Sequence, residues 1–175
     1  MPKKNLRLVL NFFMFAFFTA ICIGAQTILW PAMNLPQPQL WALPFVFVIL
    51  YHSFWYSLIF TYVTTFILAG FTSIPIGLLL AALIMLFVFV QFIKQRFFWP
   101  EFSFFFLVSL SAALLFPALH FVLSFSSEGP PIIVPEIGKW LIQPLMLAVM
   151  SYPLYFLSQK LDRWSRTSEF QGLGD

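Results

Sequence analysis

The sequence predicts an all-α polytopic membrane protein with six transmembrane helices and cytoplasmic N- and C-termini. Three observations predict it. From Leu8 through Ile93 there is no Lys, Arg, Asp or Glu. Of 175 residues, 61% are hydrophobic, 21% aromatic and only 9% charged, and 25 are Phe. The cations gather at the ends of apolar runs. A soluble domain of this size cannot cover that much apolar surface, so the solvent is a bilayer.

The flanks of the charge-free stretch set its parity. Lys3, Lys4 and Arg7 precede it and Lys94 and Arg96 follow it. Cytoplasmic flanks carry the positive charge, so the stretch crosses an even number of times. One crossing takes about 20 apolar residues. Two crossings leave a large surplus that includes the run Phe45-Val46-Phe47-Val48-Ile49-Leu50, with nothing that resembles a solvated domain. Four crossings fit.

The first span is expected over 8–29. Its length, and the lack of a mature soluble domain after it, favour a span over a cleaved signal. Pro31, Pro36 and Pro38 then make an outer loop. Spans two (40–51) and three (55–69) are both short and are divided at His52-Ser53. They read as a tight or partly re-entrant hairpin, tolerated where neighbours bury the helix ends. The Gly70–Gly77 segment breaks the pattern, with Pro75 suited to a first helical turn and Gly77 to close backbone approach.

Span four (75–93) ends at Lys94 and Arg96, inside. Span five (102–125) contains Pro117, expected to kink it. The outer loop from Ser126 to Lys139 leads to span six (140–157), which carries Pro144 and Pro153. Residues 1–166 make one six-helix domain, and 167–175 a flexible cytoplasmic tail. On this topology Lys139 is the one cation outside, among nine Lys and Arg in the chain, as the positive-inside tendency expects. Trp30, Trp41, Trp55, Trp99, Trp140 and Trp164 all fall near span ends, as an interfacial aromatic belt.

Composition also excludes. The net charge of +3 is spread over span ends rather than gathered in a patch, so it orients the protein in a membrane and indicates no nucleic-acid partner. A lone Cys22 forms no intramolecular disulfide and no cysteine-rich metal site. No charged residue lies inside a predicted span. There is no His-Glu-x-x-His, no Gly-x-Ser-x-Gly and no carboxylate pair. The expectation is a protein that is not an enzyme and has no cofactor and no metal.

Neutral polar residues remain. His52 reads as an interfacial turn residue. His120, three residues after Pro117, is placed to bond carbonyls freed by the kink. Gln26, Gln39 and Gln143 sit toward the outer ends of spans one, two and six. With His120 they make either interhelical hydrogen bonds or a shared outer cavity. Ile132, Ile133 and Val134, held between prolines in the outer loop, expose branched aliphatics that dip into the interface or receive a protein. On the inner side Lys94, Arg96, Arg163 and Arg166 are candidate partner contacts, and the basic 158–166 stretch with Trp164 suits anionic headgroups.

The arrangement resembles MreD, the rod-shape-determining family of the bacterial inner membrane. The residues that carry the resemblance are Gln26, Pro38-Gln39, Tyr51, Pro75-Ile76-Gly77, Pro153-Leu154-Tyr155 and Asp162-Arg163. Where that family often has an Arg before the proline opening span two and an Asp before the glycine turn, this chain has Gln37 and Ala69. The resemblance implies a multi-pass protein of the bacterial cytoplasmic (inner) membrane, without catalytic activity, that binds an MreC-type single-span partner. Through that partner it would meet MreB, RodA and a penicillin-binding transpeptidase. A homodimer stays open. The six-helix arrangement is also similar to the substrate-binding subunits of energy-coupling-factor vitamin transporters, which supplies the alternative of a small-ligand binding subunit.

Overall fold

The computed structural model describes residues 2–32, 37–97, 99, 101–128 and 137–165, with side chains over 7–32, 37–97, 99, 101–125 and 142–164. Its described residues form six helices and no strand: α1 (Pro2–Ala32), α2 (Ala42–Tyr51), α3 (Phe54–Ala69), α4 (Ile76–Phe97), α5 (Phe102–Glu128) and α6 (Ile137–Ser165). Three of them contain stretches long and apolar enough to cross a membrane: Arg7–Ala32, Ile76–Phe97 and Phe102–Phe125.

Five helices close into a ring in the order α1, α3, α4, α5, α6, and α2 stands inside it, packed against all five. The sequence explains why α2 takes the centre. Ala42–Tyr51 reads ALPFVFVILY, a helix with no polar face except its terminal Tyr, and a helix that is apolar all round is a buried one. Every side chain from Ala42 to Leu50 is buried. Phe47 shows how the ring grips it: its ring stacks on Phe15 of α1 at 5.6 Å and meets Phe105 of α5 and Tyr155 of α6 edge-on at 6.2 and 6.1 Å. Such aromatic pairs contribute about 0.5–1.5 kcal/mol each beyond their buried area.

The helix expected as a short second span is thus a central pillar. Ten residues rise about 15 Å, half of a hydrocarbon core of roughly 30 Å.

Several expectations change. The break at Trp30 is too early, because α1 continues through Pro31 to Ala32. In the last turn a proline removes one backbone bond and little else. At the far end α6 runs to Ser165, since Gln159, Lys160, Leu161 and Arg163 are good helix formers. Residues 158–165 of the basic stretch are therefore helix. Trp41 leaves the aromatic belt: it is 2% exposed and packs edge-on against Phe116 of α5 at 4.8 Å. Trp55, Trp99 and Trp164 are exposed.

Pro75 directly precedes α4, and its carbonyl accepts the Leu79 N–H at 3.1 Å. Gly77 does not serve a close backbone approach, because a Cβ built there meets nothing within 4 Å. Pro117 lies inside α5, and Pro144 and Pro153 lie inside α6, without ending either helix.

Candidate functional site

A helix buried inside a ring must place its terminal N–H and C=O groups, which find no water there. At the C-terminal end of α2 the ring supplies the partners. Lys94 of α4 sends its Nζ to the carbonyl oxygens of Ile49 and His52, at 2.8 and 2.7 Å. The Ser57 hydroxyl of α3 donates to Val48 O at 3.1 Å, and the His52 N–H returns to the same carbonyl at 3.0 Å. An ammonium at the negative end of the helix dipole adds a favourable charge interaction. Lys94 read as a partner contact on the inner surface, but its ammonium is turned inward onto α2.

Beside this cap lies a buried polar cluster. Asn11 of α1, His52 in the α2–α3 turn, Tyr56 of α3 and Asp162 of α6 are 0%, 4%, 7% and 6% exposed. The Tyr56 hydroxyl donates to Asn11 Oδ1 at 2.5 Å, and Asn11 Nδ2 donates to Asp162 Oδ1 at 3.4 Å. The His52 ring stacks on Tyr56 at 4.5 Å, and its Nε2 stands 3.5 Å from Asp162 Oδ1, close enough for an ion pair but without hydrogen-bond geometry.

His52 lies outside the helices. Burial, reinforced by the Lys94 charge, lowers its pKa from 6.5 to about 4, so the imidazole is neutral near pH 7 and meets the carboxylate as a dipole. One turn before Asp162 in α6, Gln159 Nε2 donates to the Tyr155 hydroxyl at 2.7 Å, which lies 3.4 Å from the Tyr51 hydroxyl. The cluster therefore joins the start of α1, the α2–α3 turn, the end of α4 and the end of α6 at one end of the bundle. Chemically it is a lock.

The other end of α2 is closed mainly by its own chain. Ala42 and Leu43 N–H groups return to Gln39 and Leu40 carbonyls at 2.9 and 3.2 Å, and Pro44 has no N–H to satisfy. Among the described residues the one remote contribution is Gln26 of α1, whose Oε1 accepts the Leu40 N–H at 3.1 Å. Gln39 is buried, and its Oε1 and the Trp30 Nε1 have no hydrogen-bond partner among the described residues.

The four residues expected at an outer cavity divide accordingly. Gln26 reaches the backbone beside Gln39, whereas among the described residues no hydrogen bond joins Gln39, His120 and Gln143 to one another. Among the described residues no hydrogen bond joins His120 to the carbonyls near Pro117.

Of the inner candidates, Arg96 is exposed, with its guanidinium 5.9 Å from the Phe92 ring centre, and Arg163 is exposed on the last turns of α6. Ile132, Ile133, Val134 and Arg166 lie outside the described residues. Sequence reasoning passed over Asn11, Tyr56 and Ser57 and gave Asp162 no site role. Asn11 did carry a signal, since an amide inside an apolar run marks interhelical bonding. Asp162 carried none, sitting between Leu161 and Arg163 in a stretch that reads as a solvated basic end. Compared with known protein families, curated proteins and solved structures, the chain finds no match.

Proposed function

We propose that this chain is a non-enzymatic, six-span protein of the bacterial cytoplasmic membrane. On this reading it serves the cell-elongation machinery by binding an MreC-type single-span partner and supporting peptidoglycan synthesis. The observation that carries the reading is the filled centre. With α2 packed against every other helix and Ala42 to Leu50 buried, the axis of the bundle is a core, and recognition falls to the outer surface. That surface is apolar on α1 through Phe13, Phe17 and Ile21 and on α6 through Leu145, Val149 and Tyr152, as suits partners within a bilayer. The short motifs that resemble those of the MreD family suit the same partner class.

Cytoplasmic termini and six crossings are part of the proposal. They draw support from the cluster, because Asn11, His52, Lys94 and Asp162 meet at one end of the bundle, on the side where the sequence concentrates its cations. The test is a clean deletion in the source bacterium together with a crosslinked pull-down in detergent. The reading expects rods to become spheres and an MreC-type protein to co-purify. Normal rods after deletion overturn it.

One observation favours a second reading, a binding subunit for a vitamin-sized molecule. Gln39 Oε1 and Trp30 Nε1, near the N-terminal end of α2, are buried without partners among the described residues, and a ligand with one donor and one acceptor would satisfy both. Equilibrium dialysis of the purified protein against a vitamin panel, with Gln39→Leu as control, separates this reading from the first.

A further inference from the structure

α1 and α3 pack side by side near the point where Tyr56 bonds Asn11, and a groove of about 440 Å³ lies between them. Val9, Phe12 and Phe13 of α1 and Tyr56 and Ile59 of α3 form its walls, with Leu8, Ser53 and Trp55 toward the helix starts. Its length rules out a helical partner as the natural filling. From Leu8 to Phe13 the wall rises only about 8 Å, less than two turns, whereas helices pack along many. The volume lies in the range of small-molecule sites, and the walls are apolar.

Charge settles the class of molecule. The α1–α3 corner comes from a part of the chain that holds Lys3, Lys4 and Arg7 and no acidic residue, since no Asp or Glu precedes Glu101. Arg7 is exposed, directly before Leu8. The carboxylate of the neighbouring cluster, Asp162 of α6, is engaged with Asn11 and beside His52. Trp55, 71% exposed, marks the level at which acyl chains give way to headgroups.

We infer that the α1–α3 groove holds an anionic phospholipid of the cytoplasmic leaflet, with an acyl chain against Phe12, Phe13, Tyr56 and Ile59 and the phosphate near Ser53 and the start of α1. The inference rests on the membrane location in the proposed function and is independent of the partner named there. It also ties the groove to the buried cluster. Tyr56 belongs to both, since its ring lines the groove while its hydroxyl bonds Asn11 and its face covers His52. A lipid seated there braces the joint between α1 and α3.

The experiment offers the full-length protein a mixture of phosphatidylglycerol and phosphatidylcholine in nanodiscs and counts retained lipids by native mass spectrometry. One phosphatidylglycerol per chain is expected, enriched about fivefold or more over its share of the bilayer, the scale of one well-placed cation near an anionic surface. Val9→Trp with Ile59→Trp should abolish retention, both positions being surface-exposed and tolerant of bulk. Val149→Trp on α6 should not. Lys3→Gln, Lys4→Gln and Arg7→Gln together should keep a lipid and lose the anionic preference.

Equal retention by a folded, groove-filled variant overturns the inference, as does retention without headgroup preference in the wild type. If the filled variant does not fold, brominated lipids decide: brominated phosphatidylglycerol should quench the fluorescence lost in Trp55→Phe more than brominated phosphatidylcholine does, and equal quenching is fatal. Failure of the protein to fractionate with membranes would instead sink the proposed location. Normal rods on deletion would remove the partner reading and leave the lipid site standing.

Discussion

The two ends of α2 solve one physical problem in different ways. At the C-terminal end, carbonyls of Val48, Ile49 and His52 are met by side chains from two other helices, Ser57 and Lys94, one of them charged. At the N-terminal end the chain turns back on itself through Gln39 and Leu40, Pro44 spares one donor, and among the described residues Gln26 alone arrives from elsewhere. The first end depends on tertiary structure, and the second is largely local. A ten-residue helix buried inside a ring is stable only if both ends are closed, and the remote closure is the more vulnerable.

Lys94→Met should therefore produce the largest effect. It leaves two buried carbonyls without their charged donor, and hydrogen bonds to charged groups contribute about 1.5–3 kcal/mol each. A loss of about 3 kcal/mol is expected in denaturation of the protein in detergent. Lys94→Arg should recover part of it by supplying donors in a less compact geometry. A change below about 0.5 kcal/mol for Lys94→Met, the size expected of a surface charge, would break the contrast between the ends.

The acid response sharpens the same contrast, since the titrating group sits at the C-terminal end. His52 has a folded pKa near 4 against 6.5 when exposed. A depressed folded value means that the unfolded chain takes up the proton first. The stability associated with neutral His52 is complete above about pH 6.5 and declines as pH falls toward 4. Near pH 5 the decline should reach about 2 kcal/mol. Unfolding midpoints measured from pH 7.5 to 4.5 should show this slope, and His52→Asn should flatten it. An unchanged slope in that variant would place the acid sensitivity elsewhere.

How far these features were legible in the sequence depends on the distance over which each acts. Six helical segments followed from apolar run length and from breakers such as Pro36, Pro38 and Pro75, all local properties. The tight turn at His52-Ser53 was legible for the same reason. What placed α2 inside the ring was also present, in the absence of any polar side chain from Ala42 to Leu50, yet ten residues are too few for a periodicity to show. The cap and the cluster were not legible. Lys94 sits at a helix end like any positive-inside flank, and only the folded chain brings it to Ile49. Asn11 and Asp162 are bonded across nearly the whole sequence. Gly77 erred in the other direction, because a glycine after a proline suggests close packing where the structure has open space.

Gln26→Leu tests the local end and should have the smallest effect. The Leu40 N–H that Gln26 accepts also points to Pro38 O at 2.9 Å, so removing the glutamine leaves that donor with a second acceptor. Its loss should be about 0.5–1 kcal/mol, the low range for a neutral hydrogen bond. If Gln26→Leu instead destabilises as strongly as Lys94→Met, the N-terminal end is not self-closing and α2 hangs equally from both sides of the ring. If it leaves stability alone but abolishes binding of a small molecule, Gln26 belongs to a site with Gln39 and Trp30, and the asymmetry of α2 is functional: a locked end carrying Lys94 and Asp162, and an open end kept for a ligand.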